Sequence, residues 1–131
     1  MKRILIVDDE PHVRRVLQLS LERAGYDVKI EHDGQAGLEH VLADPPDALV
    51  TDINMPRMTG RELVKALHAA RPEREFPVFV MTSLTAREER VWVSAIPGVD
   101  FLEKPLSPRD LVARLARHFE TCERPGATAD A

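Results

Sequence analysis

The sequence predicts one α/β domain, a doubly wound (βα)5 unit whose parallel sheet of five strands is covered by helices on both faces. Short apolar runs alternate five times with amphipathic helical patterns, which is the order that a parallel sheet with crossover helices requires. Most of these runs are continuously apolar, as strands buried on both faces are. The length of 131 residues suits a single domain, and a composition of 44% apolar and 31% charged residues excludes a disordered chain.

Five segments carry the pattern of strands. Continuous apolar runs predict buried strands at residues 4–7, 48–50 and 78–81. Residues 26–31 instead alternate between apolar and charged side chains, which indicates a strand with one face in water. A shorter segment, residues 99–103, gives the fifth strand. The second and fifth strands are therefore expected at the two edges of the sheet, in the flavodoxin-like order 2-1-3-4-5.

Helical patterns fill the gaps between the strands. The apolar faces of the first four helices are predicted to be Val13, Val16, Leu17, Leu21 and Ala24; Leu38, Val41 and Leu42; Leu63, Val64 and Leu67; and Val91 and Ala95. Gly25 is expected to end the first helix, and Asp44-Pro45-Pro46 the second. Ser107 is expected to cap a fifth helix, with Pro108 in its first turn. The packing face of that helix is Leu111, Val112, Leu115 and Phe119.

Composition and chain ends limit the kinds of function. Residues 1–119 are predicted to form the domain, and residues 120–131 a loose C-terminal tail without periodicity. The formal net charge of −4 gives no electrostatic reason to expect nucleic-acid binding. A single cysteine, Cys122, excludes an internal disulfide and fits a reducing compartment. No apolar run approaches the roughly 20 residues that span a bilayer, so no membrane association and a cytoplasmic location are expected.

Charged and hydroxyl side chains follow four of the five predicted strands. Asp8 and Asp9 follow the first strand, Asp52 the third, Thr82 and Ser83 the fourth, and Lys104 the fifth. Ligands of open α/β sheets bind outside the carboxyl ends of the strands, so these groups are expected to converge. Each of these residues could instead have a purely structural role. Aspartate and threonine often cap helices, and Asp52 or Lys104 could belong to a turn. Their coincidence at one end of the sheet favours a functional site.

The chemistry of this set indicates metal-assisted phosphoryl transfer. Three carboxylates brought together repel one another, and a hard divalent cation relieves that repulsion. Mg²⁺ prefers a few carboxylates together with waters and phosphate oxygens. An aspartate can attack phosphorus and form an acyl phosphate, while a lysine and a hydroxyl group stabilise the phosphoryl oxygens.

The motifs at these strand ends resemble those of response regulator receiver domains from two-component systems, over roughly residues 2–119. The matching segments are Asp8-Asp9-Glu10, Asp52-Ile53-Asn54-Met55-Pro56, Thr82-Ser83 and Lys104-Pro105. The combination of these motifs in one order is specific, whereas any single aspartate or Lys-Pro pair is not.

The resemblance implies a role for each residue of the site. Asp52 would be the phosphoacceptor, and Mg²⁺ or Mn²⁺ would be held by Asp9, Asp52 and the backbone carbonyl of Asn54, with Asp8 acting largely through a metal-bound water. Thr82 and Lys104 would bind the phosphoryl group, Phe101 would be the switch aromatic, and Asn54 and Leu84 would tune the lifetime of the acyl phosphate. Such a domain catalyses only its own phosphorylation and dephosphorylation and is not otherwise an enzyme.

The same resemblance implies two kinds of protein partner. A sensor histidine kinase or a phosphotransfer protein would donate the phosphoryl group and dock near residues 12–19 of the first helix and the loop after Lys104. A downstream protein would bind the surface formed by the fourth helix, the fifth strand and the fifth helix. Whether the chain acts alone or within a larger regulator stays open at the level of sequence.

Three other functions share parts of the pattern. A haloacid-dehalogenase-like, Mg²⁺-dependent phosphatase needs its nucleophile after the first strand and a second acid two residues on. The later segment Asp52-Ile53-Asn54 lacks that second acid. A flavodoxin-like flavin carrier needs a phosphate loop after the first strand, where this chain has carboxylates that would repel the cofactor. A receiver-like module that binds partners without phosphorylation is expected to have lost key residues, and none is lost here.

Overall fold

The computed structural model describes residues 2–53, 55, 58–73, 76–82, 91, 95–96, 98–103 and 107–123, with only the backbone of residues 82 and 120–123. Within these residues the strands are β1 (Arg3–Val7), β2 (Asp27–Glu31), β3 (Ala48–Asp52), β4 (Val78–Thr82) and β5 (Val99–Glu103). The helices are α1 (Pro11–Arg23), α2 (Gly34–Ala43), α3 (Gly60–Ala70) and the C-terminal helix, here α4 (Pro108–Glu123). The helix predicted around Val91 and Ala95 lies largely outside the described residues.

All neighbouring strands are parallel, and the sheet has the order β2-β1-β3-β4-β5. The predicted fold class and strand order are thereby confirmed. β1 and β3 lie side by side, with Ile4 opposite Ala48 and Val7 opposite Thr51. The chain reverses its direction of winding between these two strands, so a crevice forms between their carboxyl ends.

Each face of the sheet has its own hydrophobic core. Ile4, Ile6 and Val50 pack with α1 and α4, whereas Leu5 and Val7 pack with α2 and α3. Successive side chains of a strand point to opposite faces, so a continuously apolar strand contributes to both cores. Each fully buried side chain of this size stabilises the fold by about 1.5–3 kcal/mol relative to exposure.

The predicted helix faces are largely confirmed, with three errors, one of which is Ala24, an exposed residue just beyond the end of α1. Leu17 and Leu21 of α1 are buried, but Val16 is 38% exposed because it lies about 100° around the helix from Leu17. Val91 is 68% exposed and Ala95 is also exposed, so the predicted packing face of the fourth helix is wrong. An apolar pair four residues apart shares one side of a helix, but the pattern does not say which side faces the core.

The ends of the elements follow their local chemistry. Gly25 follows α1 with a φ of 98°, a left-handed conformation that glycine adopts without strain, so its role as a helix stop is confirmed. The side chain of Ser107 accepts a hydrogen bond from the backbone N–H of Asp110 at 3.3 Å, as a helix cap does. α4 continues to Glu123, and residues 124–131 lie outside the described residues, so the division at residue 119 stays a prediction.

The two edge strands differ from the central ones in composition. β2 pairs with β1 and carries Asp27, Lys29 and Glu31 in alternation with apolar residues. β5 pairs with β4 and carries Asp100 and Glu103, both of which are exposed. Among the residues that the structure describes, none of the helices combines the length and the apolar character that a membrane-spanning segment needs.

Candidate functional site

Three carboxylates meet at the carboxyl ends of β1 and β3. One carboxylate oxygen from each of Asp8, Asp9 and Asp52 lies within 4.8 Å of the other two. The side chains of Asp8 and Asp52 are buried, with 0% and 4% of their residue surfaces exposed, whereas Asp9 is exposed to solvent. Two buried acids and one accessible acid therefore form a cluster that is open on one side.

Asp8 is held in place at three atoms. Its backbone N–H donates to the carbonyl of Glu31 at 3.2 Å, which extends the pairing of β1 with β2 by one residue. Its Oδ1 accepts from the N–H of Glu10 at 2.8 Å. Its backbone carbonyl accepts from Nη1 of Arg14 at 2.9 Å. These bonds fix the turn between β1 and α1 on which both Asp8 and Asp9 are carried.

Asp52 is the last residue of β3, not a loop residue after a shorter strand as the apolar run alone suggested. It lies opposite Met81 of β4, and its Oδ1 accepts from the N–H of Ile53 at 2.8 Å. Its carbonyl accepts from the hydroxyl of Thr51 at 3.0 Å. The strand pairing and the Ile53 N–H together set the direction of the Asp52 carboxylate.

A close approach of α3 also fixes the end of β3. A Cβ at Gly60, the first residue of α3, would overlap the carbonyl oxygen of Asp52. The N–H of Gly60 donates to the carbonyl of Ile53 at 2.7 Å, which closes the connection between β3 and α3 at its base. α3 then begins with a capping box, because Thr59 and Glu62 each accept a bond from the other's backbone N–H, at 3.2 Å and 2.9 Å.

The acids of the cluster do not act as a helix cap. Glu10 occupies the N-cap position of α1, and no side-chain hydrogen bond caps this helix within the described residues. The first turn of α1 contains no acidic residue. The capping alternative for Asp8 and Asp9 is therefore unsupported, and their carboxylates are directed toward Asp52 instead.

The donor set suits a hard divalent cation. Carboxylate oxygens are the protein ligands that Mg²⁺ and Mn²⁺ prefer. Oxygens on opposite sides of Mg²⁺ are about 4.2 Å apart, since each bond is about 2.1 Å long. The 4.8 Å limit on the oxygen–oxygen distances here is close to that value. An ion could bind two of the carboxylates directly and reach the third through a water molecule.

The other residues predicted for the site are described only in part. Thr82 ends β4 one residue beyond the partner of Asp52, so its backbone lies at the same end of the sheet, but its side chain is outside the described residues. Asn54, Leu84 and Lys104 also lie outside the described residues. Phe101 is partly buried in β5 and packs against the core on the α2 and α3 side.

Two features of the site escaped the sequence analysis. Arg14 is not part of the apolar face predicted for the first helix, yet it is partly buried and donates a hydrogen bond to the carbonyl of Asp8. The close approach of Gly60 to Asp52 also has no sequence signal beyond the glycine itself. Arg14 lies one turn inside α1, and side chains of a helix lean toward its N-terminus, so its reach to Asp8 could have been anticipated.

Comparisons with known proteins agree with the geometry. Residues 4–116 match a family model described as the response regulator receiver domain. The response regulator MprA of Mycobacterium ulcerans is 40% identical over 113 residues, which are 86% of this chain and 48% of that protein. The chain thus spans about half the length of the curated relatives it matches.

Solved structures show the same similarity in three dimensions. The chemotaxis response regulator CheY4 of Vibrio cholerae superposes with a TM-score of 0.80 at 32% identity, covering 89% of this chain and 98% of that one. The signal receiver domain of a signal transduction histidine kinase from Syntrophus aciditrophicus gives a TM-score of 0.84 at 27% identity, covering 95% and 94%. Both share the arrangement of strands and helices found here.

Proposed function

The chain belongs to the response regulator receiver family, and we propose that Asp52 is its phosphoacceptor, charged with the help of Mg²⁺ or Mn²⁺. The family match favours a receiver over the phosphatase and the flavin carrier that the sequence left open. The donor would be a sensor histidine kinase or a phosphotransfer protein. We expect this exchange in the cytoplasm, where the single cysteine stays reduced.

The observation that supports this proposal is the carboxylate cluster. Asp8 and Asp9 follow β1, and Asp52 ends β3, 43 residues after Asp9 in the chain, yet one oxygen of each lies within 4.8 Å of the others. A cluster of like charges is costly to assemble unless a cation offsets it. Asp9, Asp52 and the backbone carbonyl of Asn54 would hold the ion, with Asp8 acting through a bound water.

The reaction itself needs few protein groups. A carboxylate oxygen of Asp52 attacks the phosphorus of the donor's phosphohistidine, the P–N bond breaks, and the nitrogen leaves with its electron pair and takes up a proton. The bond from Ile53 N–H to Oδ1 keeps the carboxylate oriented for this attack. A bound divalent cation would offset the charge of the phosphoryl oxygens. We assign the remaining stabilisation of those oxygens to Thr82 and Lys104.

Hydrolysis returns the domain to its starting state. Water attacks the phosphorus of the acyl phosphate, inorganic phosphate leaves, and the Asp52 carboxylate is restored. Asn54 and Leu84 come two residues after Asp52 and Thr82, respectively. We propose that their side chains set how easily water reaches the phosphorus. The only chemistry of the chain would then be on itself, and its output would be a change of surface.

The proposed output surface lies around β5 and α4, together with the helix predicted between β4 and β5. Phe101 lies in β5 and is partly buried, so its ring can change burial when Thr82 moves toward the phosphoryl group. A groove beside these elements is lined by Phe79, Val99, Asp100, Arg114 and His118, among others. Arg114 lies 3.5 Å from Asp110 and 3.9 Å from Asp100, so this surface carries charges of both signs.

The proposed docking surface for the donor is the exposed side of α1, residues 12–19. Two apolar side chains there face solvent, since Val16 is 38% and Leu19 is 47% exposed. Large apolar residues at the surface are a common element of protein interfaces. α1 also begins directly after Asp8 and Asp9, so a partner bound to it would lie next to the cluster.

Labelling with a small phosphodonor tests the assignment of Asp52. The wild type, Asp52→Asn and the control Asp44→Asn are incubated with an acyl phosphate and Mg²⁺, and the intact mass of each is measured. We expect one phosphoryl group on the wild type and on Asp44→Asn, whose side chain is 61% exposed and pairs with Arg3 at the opposite end of β1. No label is expected on Asp52→Asn or in the presence of a chelator.

Two results would contradict the proposal. Equal labelling of Asp52→Asn and the wild type would show that another residue accepts the phosphoryl group. A wild type that takes no label from any acyl phosphate or phosphoramidate would favour the remaining alternative, a receiver-like module that binds partners without phosphorylation.

A further inference from the structure

Arg14 connects α1 to the carboxylate cluster through a hydrogen bond to Asp8. Its Nη1 donates to the backbone carbonyl of Asp8 at 2.9 Å, and its side chain is partly buried. Arg14 is the fourth residue of α1, and side chains of a helix lean toward the N-terminus of that helix. A long side chain at this position therefore reaches back over the first turn to the end of β1.

The carbonyl of Asp8 is a sensitive point, because the peptide group that contains it also contains the N–H of Asp9. Peptide groups are planar, so a bond that fixes the direction of the Asp8 carbonyl oxygen also fixes the plane that contains the N and Cα atoms of Asp9. Of the other described bonds of this turn, one holds the N–H of Asp8, and one joins the Asp8 side chain to the N–H of Glu10, in the peptide group that follows Asp9. Arg14 thus constrains the part of the turn that leads to Asp9.

Asp9 needs such a constraint more than the other two acids do. Asp8 and Asp52 are buried and are held by strand pairing, whereas Asp9 is exposed and follows the end of β1. An exposed side chain on an unrestrained turn loses conformational entropy when it binds an ion. A partner that fixes its backbone beforehand reduces that loss, as outer groups around metal sites do.

We propose that Arg14 is a positioning residue for the metal site, holding the Asp8–Asp9 peptide so that Asp9 is ready to bind a divalent cation. This inference rests on the proposed function, because it takes Asp9 as a ligand. Arg14 does not touch the ion or the phosphoryl group in this account. It acts through the backbone of Asp8.

The charge of Arg14 works against its positioning role, and the two effects can be separated. A guanidinium group is always positive and repels a cation, so its removal alone would tighten Mg²⁺ binding. Loss of the hydrogen bond to the Asp8 carbonyl would instead weaken Mg²⁺ binding. Arg15 is a matched control, since it is the next residue, carries the same charge and is exposed.

The first experiment measures the Kd of Mg²⁺ by calorimetry for Arg14→Gln and Arg15→Gln, well below their unfolding temperatures. We expect Arg14→Gln to bind Mg²⁺ about tenfold more weakly than Arg15→Gln, the size of effect that groups behind metal ligands usually have. A Kd for Arg14→Gln equal to or below that of Arg15→Gln would overturn the proposal.

A second readout needs no metal. The N–H of Glu10 bonds to Oδ1 of Asp8 at 2.8 Å, so it reports on the order of the turn. In the presence of a chelator, the backbone N–H of Glu10 should exchange several-fold faster in Arg14→Gln than in the wild type. Its exchange rate should be unchanged in Arg15→Gln. The N–H of Gly37, which bonds to Asp33 at 3.0 Å, should exchange equally in both. Unchanged exchange at Glu10 in Arg14→Gln would contradict the inference.

Failure of the underlying function gives a different result. If the wild type binds no Mg²⁺, or if Asp9→Asn binds it as tightly as the wild type does, then the metal site itself is assigned wrongly. If the wild type binds Mg²⁺ through Asp9 but Arg14→Gln behaves as Arg15→Gln does, only the positioning role of Arg14 is lost.

Discussion

The N-termini of α1 and α2 both follow a strand and an aspartate, yet the two aspartates are used differently. At α2, Asp33 is the N-cap residue, and its Oδ1 accepts from the N–H of Ala36 at 2.8 Å. At α1, the N-cap residue Glu10 makes no capping bond through its side chain within the described residues. Asp8 and Asp9, just before it, direct carboxylate oxygens toward Asp52.

The difference follows from the position of each strand in the sheet. Asp33 comes after β2, an edge strand whose one partner in the described sheet is β1. Asp8 comes after β1, which has β2 on one side and β3 on the other. β3 delivers Asp52 to the same end, so carboxylates meet between β1 and β3 and not beside β2. The neighbouring strand, more than the local sequence, decides whether an aspartate caps a helix or joins a site.

The largest expected effect concerns stabilisation by Mg²⁺. An ion that binds the folded state alone, at 100 times its Kd, raises the free energy of unfolding by about 2.7 kcal/mol. We expect this gain in the wild type and in Asp33→Asn, and its loss in Asp9→Asn. Urea unfolding with and without Mg²⁺ measures it. An equal loss in Asp33→Asn and Asp9→Asn would remove the distinction between the two helix N-termini.

The next effect concerns the metal-free protein and has the opposite pattern. Asp33→Ala removes a helix cap and should lower the free energy of unfolding by about 1 kcal/mol. Asp9→Ala removes one charge from an acidic cluster and no cap, so the loss should stay below about 0.5 kcal/mol. The measurement is urea unfolding in a chelator. A loss for Asp9→Ala as large as that for Asp33→Ala would mean that Asp9 supports α1 after all.

The smallest effect comes from giving α1 a side-chain cap, since none is found among the described residues. Glu10 has the extended backbone of an N-cap residue, with φ −93° and ψ 110°, so a serine there could accept from the first turn. Glu10→Ser should raise the free energy of unfolding by about 0.5–1 kcal/mol, and Glu10→Ala should leave it nearly unchanged. Thermal unfolding of the two variants tests this. A serine no more stabilising than alanine would show that α1 has no unmet need for a cap.

Much of the fold could be predicted because its signals are local. Continuous apolar runs identified buried strands, and the alternation at residues 26–31 placed β2 at an edge. The cluster of Asp8, Asp9 and Asp52 followed from strand order, since parallel strands end on the same side of a sheet. Asp52 itself lies inside β3, because pairing with β4 continues past the apolar run.

Other features depend on packing that no local pattern records. Val16 fits the apolar stripe of α1 in sequence, but the width of the face that α4 and the sheet cover leaves it partly exposed. The contact of Gly60 with the Asp52 carbonyl and the bond from Arg14 to Asp8 join residues whose distance depends on how two elements meet. The sequence shows which residues are available at such a contact, but whether they touch depends on how the two elements pack.

The charged edge strands have a consequence for how molecules of this protein behave at high concentration. An open strand edge is a template for pairing with another chain, and charges along it discourage that assembly. β2 and β5 carry their charged residues at both edges of the sheet, while the strands with continuous apolar runs lie inside it. Replacing Lys29 or Asp100 by valine should therefore favour aggregation by backbone pairing between the edge strands of two molecules. The hydrophobic core should be little affected, because both side chains are exposed.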